Sequence, residues 1–121
     1  MLESNVEDYL VKRVTALGGE VRKVKWIGRK SAPDRLVMLP KVHHAAWRSD
    51  SPLELGCVCW RYAWDQPARG IWIELKKPGG LDTFPKDARE RAQFREHERM
   101  RAMGQRVVVI DSCEGVDEVL A

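Results

Sequence analysis

The chain has 121 residues, 44% hydrophobic and 32% charged, which suits one compact domain spanning 1–121 with its own core and a charged surface. Its 21 Lys and Arg against 18 Asp and Glu leave a net charge of +3, which permits a polyanionic partner without demanding one. No segment approaches the ~18 unbroken apolar residues of a membrane span, the acidic opening lacks the apolar run of a secretory signal, and the three cysteines do not make a disulfide framework, so a soluble, cytoplasmic protein is expected.

The first predicted element is a helix from about Asn5 to Leu17. Ser4 and Glu7 have capping-box spacing, Val6, Leu10, Val14 and Leu17 form one apolar stripe, and Gly18-Gly19 supplies the stop. Glu20 to Ile27 reads as a strand with Val24 and Trp26 on one face and Lys23 and Lys25 on the other. Gly28 to Pro33 is a loop, and Arg35 to Leu39 is a short apolar strand ending before Pro40. The stretch 41–70 has no clean periodicity and reads as an insertion, a loop or long hairpin between two core strands. Ile71 to Lys76 resumes with the β-branched and aromatic content of a strand. After Pro78-Gly79-Gly80, a charged helix runs from about Lys86 to Met103 and closes at Gly104. Arg106 to Asp111 has the continuous apolar character of a buried strand, and Gly115 to Leu120 is a short final helix. The order α-β-β-β-α-β-α predicts an α/β fold, a mixed sheet flanked by helices.

Residues two apart on a strand share a face, so Glu74 and Lys76 point the same way and Leu75 points oppositely. If the second and third strands are neighbours, Asp34 approaches Glu74 from the side. Two carboxylates beside a backbone carbonyl make a hard oxygen site suited to Mg²⁺ or Mn²⁺. A lysine next to such an ion can orient or deprotonate a water attacking a phosphodiester. Each piece alone has a plainer explanation: Glu-x-Lys as cross-strand charge pairing, Pro-Asp as a turn, Glu7 as a capping partner. On the long helix, Gln93, His97, Met100 and Gly104 share one stripe, and a buried glutamine and histidine are better explained by a site than by a core. The other reading turns Ala88, Ala92 and Met103 inward and leaves Gln93 on a solvated flank.

These landmarks resemble, in order and spacing, the VRR-NUC branch of the PD-(D/E)XK nucleases: the Glu-x-x-x-Glu helix, Leu17-Gly18-Gly19, Lys23 to Trp26, Pro33-Asp34-Arg35-Leu36, Ile73-Glu74-Leu75-Lys76, and Gln93 to Gly104 followed by Val107 to Ile110. The match covers nearly the whole chain apart from the insertion. The sequence departs from the family pattern at Ser31-Ala32, where glycine is commoner, and in extra residues around Asp82 to Asp87. The resemblance implies a restriction-endonuclease-like core. It also implies that Asp34, Glu74 and the Leu75 carbonyl hold Mg²⁺ or Mn²⁺, with Glu7 completing the acidic site directly or through water. Lys76 would be the catalytic lysine and Gln93 would line the site. His97 matches a position the family often fills with histidine. Small stand-alone members from phage or bacteria are similar to junction resolvases, homodimers that cut branched DNA in the bacterial or phage-infected cell.

Lys23, Lys25, Arg29, Lys30, Arg35 and Lys77 lie close in sequence to the proposed acids, where cations would offset phosphate repulsion without reading sequence. In the insertion, His43, His44, Cys57 and Cys59 lack a standard zinc spacing, and Trp47, Trp60 and Trp64 suit packing, stacking on bases or an interface. The insertion is expected to adjust which DNA shape is accepted. Two readings stand against the nuclease: a catalytically silent nucleic-acid-binding protein with the same fold, and a partner protein that makes contact through the tryptophans.

Overall fold

The structure is a computed structural model and describes residues 3–41 and 67–121. The elements in chain order are α1 (Glu3–Ala16), β1 (Glu20–Lys23), β2 (Arg35–Leu39), β3 (Arg69–Leu75), α2 (Ala88–Ala102), β4 (Arg106–Ile110) and α3 (Cys113–Leu120). The strands form one four-stranded sheet in the order β1-β2-β3-β4. The first two pairings are antiparallel and β3–β4 is parallel, so the mixed sheet and the α-β-β-β-α-β-α order agree with the sequence.

The alternation of β3 sorts the layers. Ile71, Ile73 and Leu75 turn to the face covered by Val6, Leu10 and Val14 of α1 and by Val116, Val119 and Leu120 of α3. Val37 and Leu39 of β2 and Ile110 of β4 complete that core. The other face of β3 carries Trp72 and Glu74, and there α2 lays down the buried stripe Gln93, His97 and Met100. Its apolar end is buried like an ordinary core contact, whereas its polar end faces Glu74 and Lys76.

Several boundaries differ from the sequence reading for identifiable reasons. Helix α1 already includes Ser4, so Ser4 is not its cap, and the Glu7 carboxylate faces Arg35 instead. Strand β1 stops at Lys23, not Ile27, because Lys23 pairs with Arg35 and β2 offers no residue before that one. Beyond it, the Val24 N–H to the Asp34 carbonyl (2.9 Å) and Trp26 Nε1 to the Pro33 carbonyl (2.8 Å) hold the two sides together. Strand β3 begins at Arg69, two residues early, because Arg69 and Gly70 still pair with Leu39 and Met38. Helix α2 begins at Ala88 because Asp87 accepts the Glu90 N–H at 2.8 Å, and α3 begins at Cys113 because Ser112 accepts from Gly115 at 3.0 Å. The candidate zinc ligands and the three tryptophans of the insertion lie outside the described residues.

Gly19 sits where α1 hands over to β1. A Cβ there would lie 2.3 Å from the Met38 carbonyl oxygen and 3.0 Å from both Leu39 and Val14 side chains. The helix can approach the sheet this closely only because that position has no side chain.

Candidate active site

Strands β2 and β3 are antiparallel, with Arg35 opposite Ile73, which brings the start of β2 to the end of β3. A cavity of about 550 Å³ opens there, with Asp34, Glu74, Leu75 and Lys76 in its wall. Asp34 and the segment Glu74–Lys76, at least 40 positions apart in the chain, thus share one cavity. Glu3 from α1, Lys77 just after β3, and Lys86, Arg89 and Glu90 from around the start of α2 also line it.

Lys76 follows the last residue of β3, and its N–H still donates to the Ile110 carbonyl at 2.9 Å, so the extended geometry continues through it. Its side chain is buried, with Nζ donating to Gln93 Oε1 at 2.6 Å and lying 3.2 Å from Glu90 Oε2. Nζ also lies 5.0 Å from the centre of the Phe84 ring. A lysine amine has few rotatable constraints of its own, so two acceptors on one helix are what fix its direction. Glu90 escaped the sequence reading. Burial pushes its carboxyl pKa up, but the Lys86 N–H and Lys76 outweigh this and hold it below the ordinary carboxylate value. The available signal was its position one helical turn before Gln93, on the same side of α2.

Glu74 is mostly buried, and its Oε1 lies 3.5 Å from His97 Nε2. The His97 ring is fully buried and stacks on Phe84, with ring centres 6.0 Å apart. Neither ring nitrogen has a hydrogen-bond partner, an unusual state for a buried imidazole. Its nearest acidic neighbour is a carboxylate of the cavity, so a small torsional change in Glu74 would satisfy Nε2.

Asp34 is more open than Glu74, with 58% of its side chain exposed, and it lies 2.9 Å from Arg35 Nη1. Arg35 Nε in turn binds Glu7 Oε2 at 2.5 Å. Burial disfavours the Arg35 charge, but Glu7 and Asp34 prevail and raise its pKa. Glu7, expected to complete the acidic site, is therefore occupied by Arg35 and is not in the cavity wall. Among the described residues, no group of three or more His, Cys, Asp or Glu side chains is arranged to hold a metal. Of the residues expected to hold a metal, the cavity presents the Asp34 and Glu74 carboxylates and Leu75 between Glu74 and Lys76. This oxygen-only donor set is compatible with Mg²⁺ or Mn²⁺, which retain several waters and need few protein ligands.

No family model matches the chain. It is 31% identical over 110 residues to the protein named "Putative nuclease p44" of Acyrthosiphon pisum secondary endosymbiont phage 1, across 91% of this chain and 83% of that one. It is also similar to a solved structure described as a VRR_NUC domain, with a TM-score of 0.61, 30% identity, and coverage of 98% of this chain and 92% of the other. The chain belongs to the VRR-NUC family.

Around this VRR-NUC cavity the predicted cations divide into two groups. Lys23, Lys25, Lys30 and Lys77 are exposed and make no ion pair among the described residues. Arg29 and Arg35 are structural braces: Arg35 as described, and Arg29 through a two-pronged contact with Glu96 at 2.7 and 3.1 Å. Arg29 is the chief reason the buried Glu96 carboxyl titrates below its ordinary range. Lys86 and Arg89, which the sequence reading did not single out, also line the cavity, and neither side chain has an acidic partner among the described residues. Among the described residues, no helix is long and apolar enough to cross a membrane.

Proposed function

We propose that this protein is a divalent-metal-dependent endonuclease that hydrolyses phosphodiester bonds in DNA. The observation that carries the reading is the meeting of Asp34, Glu74 and Lys76 in one cavity, with Lys76 Nζ held by Gln93 and Glu90. The name of the phage relative is consistent with it.

Asp34, Glu74 and the Leu75 carbonyl would hold Mg²⁺ or Mn²⁺. The ion would lower the pKa of a coordinated water and offset charge gathering on the scissile phosphate. Two of the three N–H bonds of Lys76 are spoken for by Gln93 and Glu90, which leaves one to aim at the water or a phosphoryl oxygen. Water attacks phosphorus, the bond to one ester oxygen breaks, and that oxygen leaves with a proton. Lys77, Lys86 and Arg89 line the same cavity and would carry the flanking phosphates. Glu7 acts indirectly, by fixing Arg35 beside Asp34.

One cavity serves one strand, so paired incisions in branched DNA call for a two-fold homodimer. We propose that arrangement, and a preference for branched over linear DNA, as the substrate class. The test is side-by-side incubation of linear, flap and four-way DNA with Mn²⁺, with and without chelator. Incision that requires the ion, favours the branched substrates, and vanishes in Asp34→Ala, Glu74→Ala and Lys76→Ala is expected. Wild-type activity in Asp34→Ala would remove the metal assignment, and binding without incision would favour a silent nucleic-acid-binding protein.

A further inference from the structure

The loop from Val24 to Asp34 holds Ile27 at its outer end, 93% exposed and the most exposed of the large apolar residues described. Single exposed aliphatic residues are ordinary on protein surfaces. This one differs in how firmly it is presented. Trp26, immediately before it, donates from Nε1 to the Pro33 carbonyl and packs on Trp72 with ring centres 5.1 Å apart. Arg29, two residues after it, is clamped by both oxygens of the buried Glu96 on α2. Gly28 and Ser31 both have positive φ, 77° and 69°, and in Ser31 that conformation is sparsely populated and is retained only where surroundings enforce it. The two sides of the loop are closed by the Val24–Asp34 hydrogen bond. Rigid anchors on either side thus leave Ile27 bare, flanked by the unpaired cations Lys25 and Lys30. The same loop ends at Asp34 in the cavity wall.

We propose that Ile27 is a wedge that enters between base steps of duplex DNA while Lys25 and Lys30 hold the adjoining phosphates. Aliphatic side chains inserted in this way must unstack the step they enter, which costs free energy. That cost is least where stacking is already interrupted, so a fixed wedge favours branch points over continuous duplex. The identity of the ligand rests on the nuclease reading; the presentation of Ile27 does not.

The full chain is titrated, in chelator, onto four-way DNA carrying 2-aminopurine beside the branch point, and cleavage with Mn²⁺ is measured separately on branched and linear DNA. Binding by the wild type is expected to raise the fluorescence. Ile27→Ser should lose that rise and lower the branched-to-linear cleavage ratio about tenfold, and Ile27→Leu should restore both. A rise that is equal in Ile27→Ser, or none in a wild type that binds and cuts, overturns the wedge and leaves the nuclease standing. An Ile27-dependent rise in a protein that cuts nothing keeps the wedge and removes the nuclease. Failure to bind any of these DNAs overturns both. Because Ile27 is almost wholly in solvent, an unchanged melting temperature in both variants is the expected control.

Discussion

His97 and Gly19 show how much can depend on one side chain, or on the lack of one. The His97 ring occupies a closed space beside Glu74 with both nitrogens unsatisfied, an arrangement that costs stability unless something uses it. We expect that it steadies the Glu74 carboxylate: His97→Leu should fold, and should need about 10–100-fold more Mn²⁺ for half-maximal cleavage, the usual scale for a group supporting a metal ligand. His97→Gln, which retains an N–H donor, should recover part of the loss. An unchanged metal titration in His97→Leu would leave the histidine with a packing role alone. At Gly19 the expected effect is on stability. Gly19→Ala forces a methyl against the Met38 carbonyl and should destabilise the fold by about 1–3 kcal/mol, visible in a denaturant midpoint. The acids and the lysine were legible from strand alternation and chain order. Glu7 was expected in the acidic site from the family resemblance, or as a capping partner of Ser4, and neither reading can reveal that its partner is Arg35, 28 positions away. Glu90 went unseen because its place one turn before Gln93 gains meaning only from Lys76 being buried against it, a tertiary fact.

At the scale of elements, α2 does the most to organise the site. It supplies Gln93 and Glu90 to Lys76, His97 to the face of Glu74, and Glu96 to the loop that carries Ile27. Its stripe was readable in sequence because Gln93, His97 and Met100 follow the helical period, and all three are buried. The short length of β1 was not, since a strand ends where its partner runs out of residues, and that limit is set by where β2 begins. The Arg29–Glu96 brace gives a pH prediction. Arg29 lowers the folded pKa of Glu96 below its value in the unfolded chain, about 4.3. The stability this contributes is therefore complete above that value and is lost as pH falls through the lower folded one. Melting temperatures of the wild type and Arg29→Gln should differ at neutral pH and converge in acid. A constant gap down to the acid limb would show that the brace acts through packing and not through charge.

For the molecule as a whole, the sheet puts its two faces to different uses. One face is sealed by α1 and α3 over an entirely aliphatic core, and the other pairs β3 with a helix whose buried stripe is partly polar. Fold class and element order were legible because the apolar periods are long and unambiguous. The face of the sheet on which Glu74 lies was legible from β3 alone, since Ile71, Ile73 and Leu75 leave only the opposite face for it. Which cations are free and which are braces depends on contacts between distant segments, and no count of charge along the chain separates Arg29 from Lys30.

The antiparallel register of β2 and β3 has a practical corollary. Leu39 is paired with Arg69, so the connection across residues 40–68 leaves and rejoins the sheet at the rim opposite the cavity, between two neighbouring backbone positions. That rim is a natural splice point. Exchanging residues 42–66 for a four-residue Gly-Asn turn should yield a shorter chain that still melts cooperatively and still nicks linear DNA, because a hairpin of ordinary length can bridge the gap. A foreign module grafted there, such as a fluorescent reporter or a targeting domain, would ride on the enzyme without obstructing its mouth. Collapse of the shortened chain would instead reveal that the excised segment is part of the scaffold.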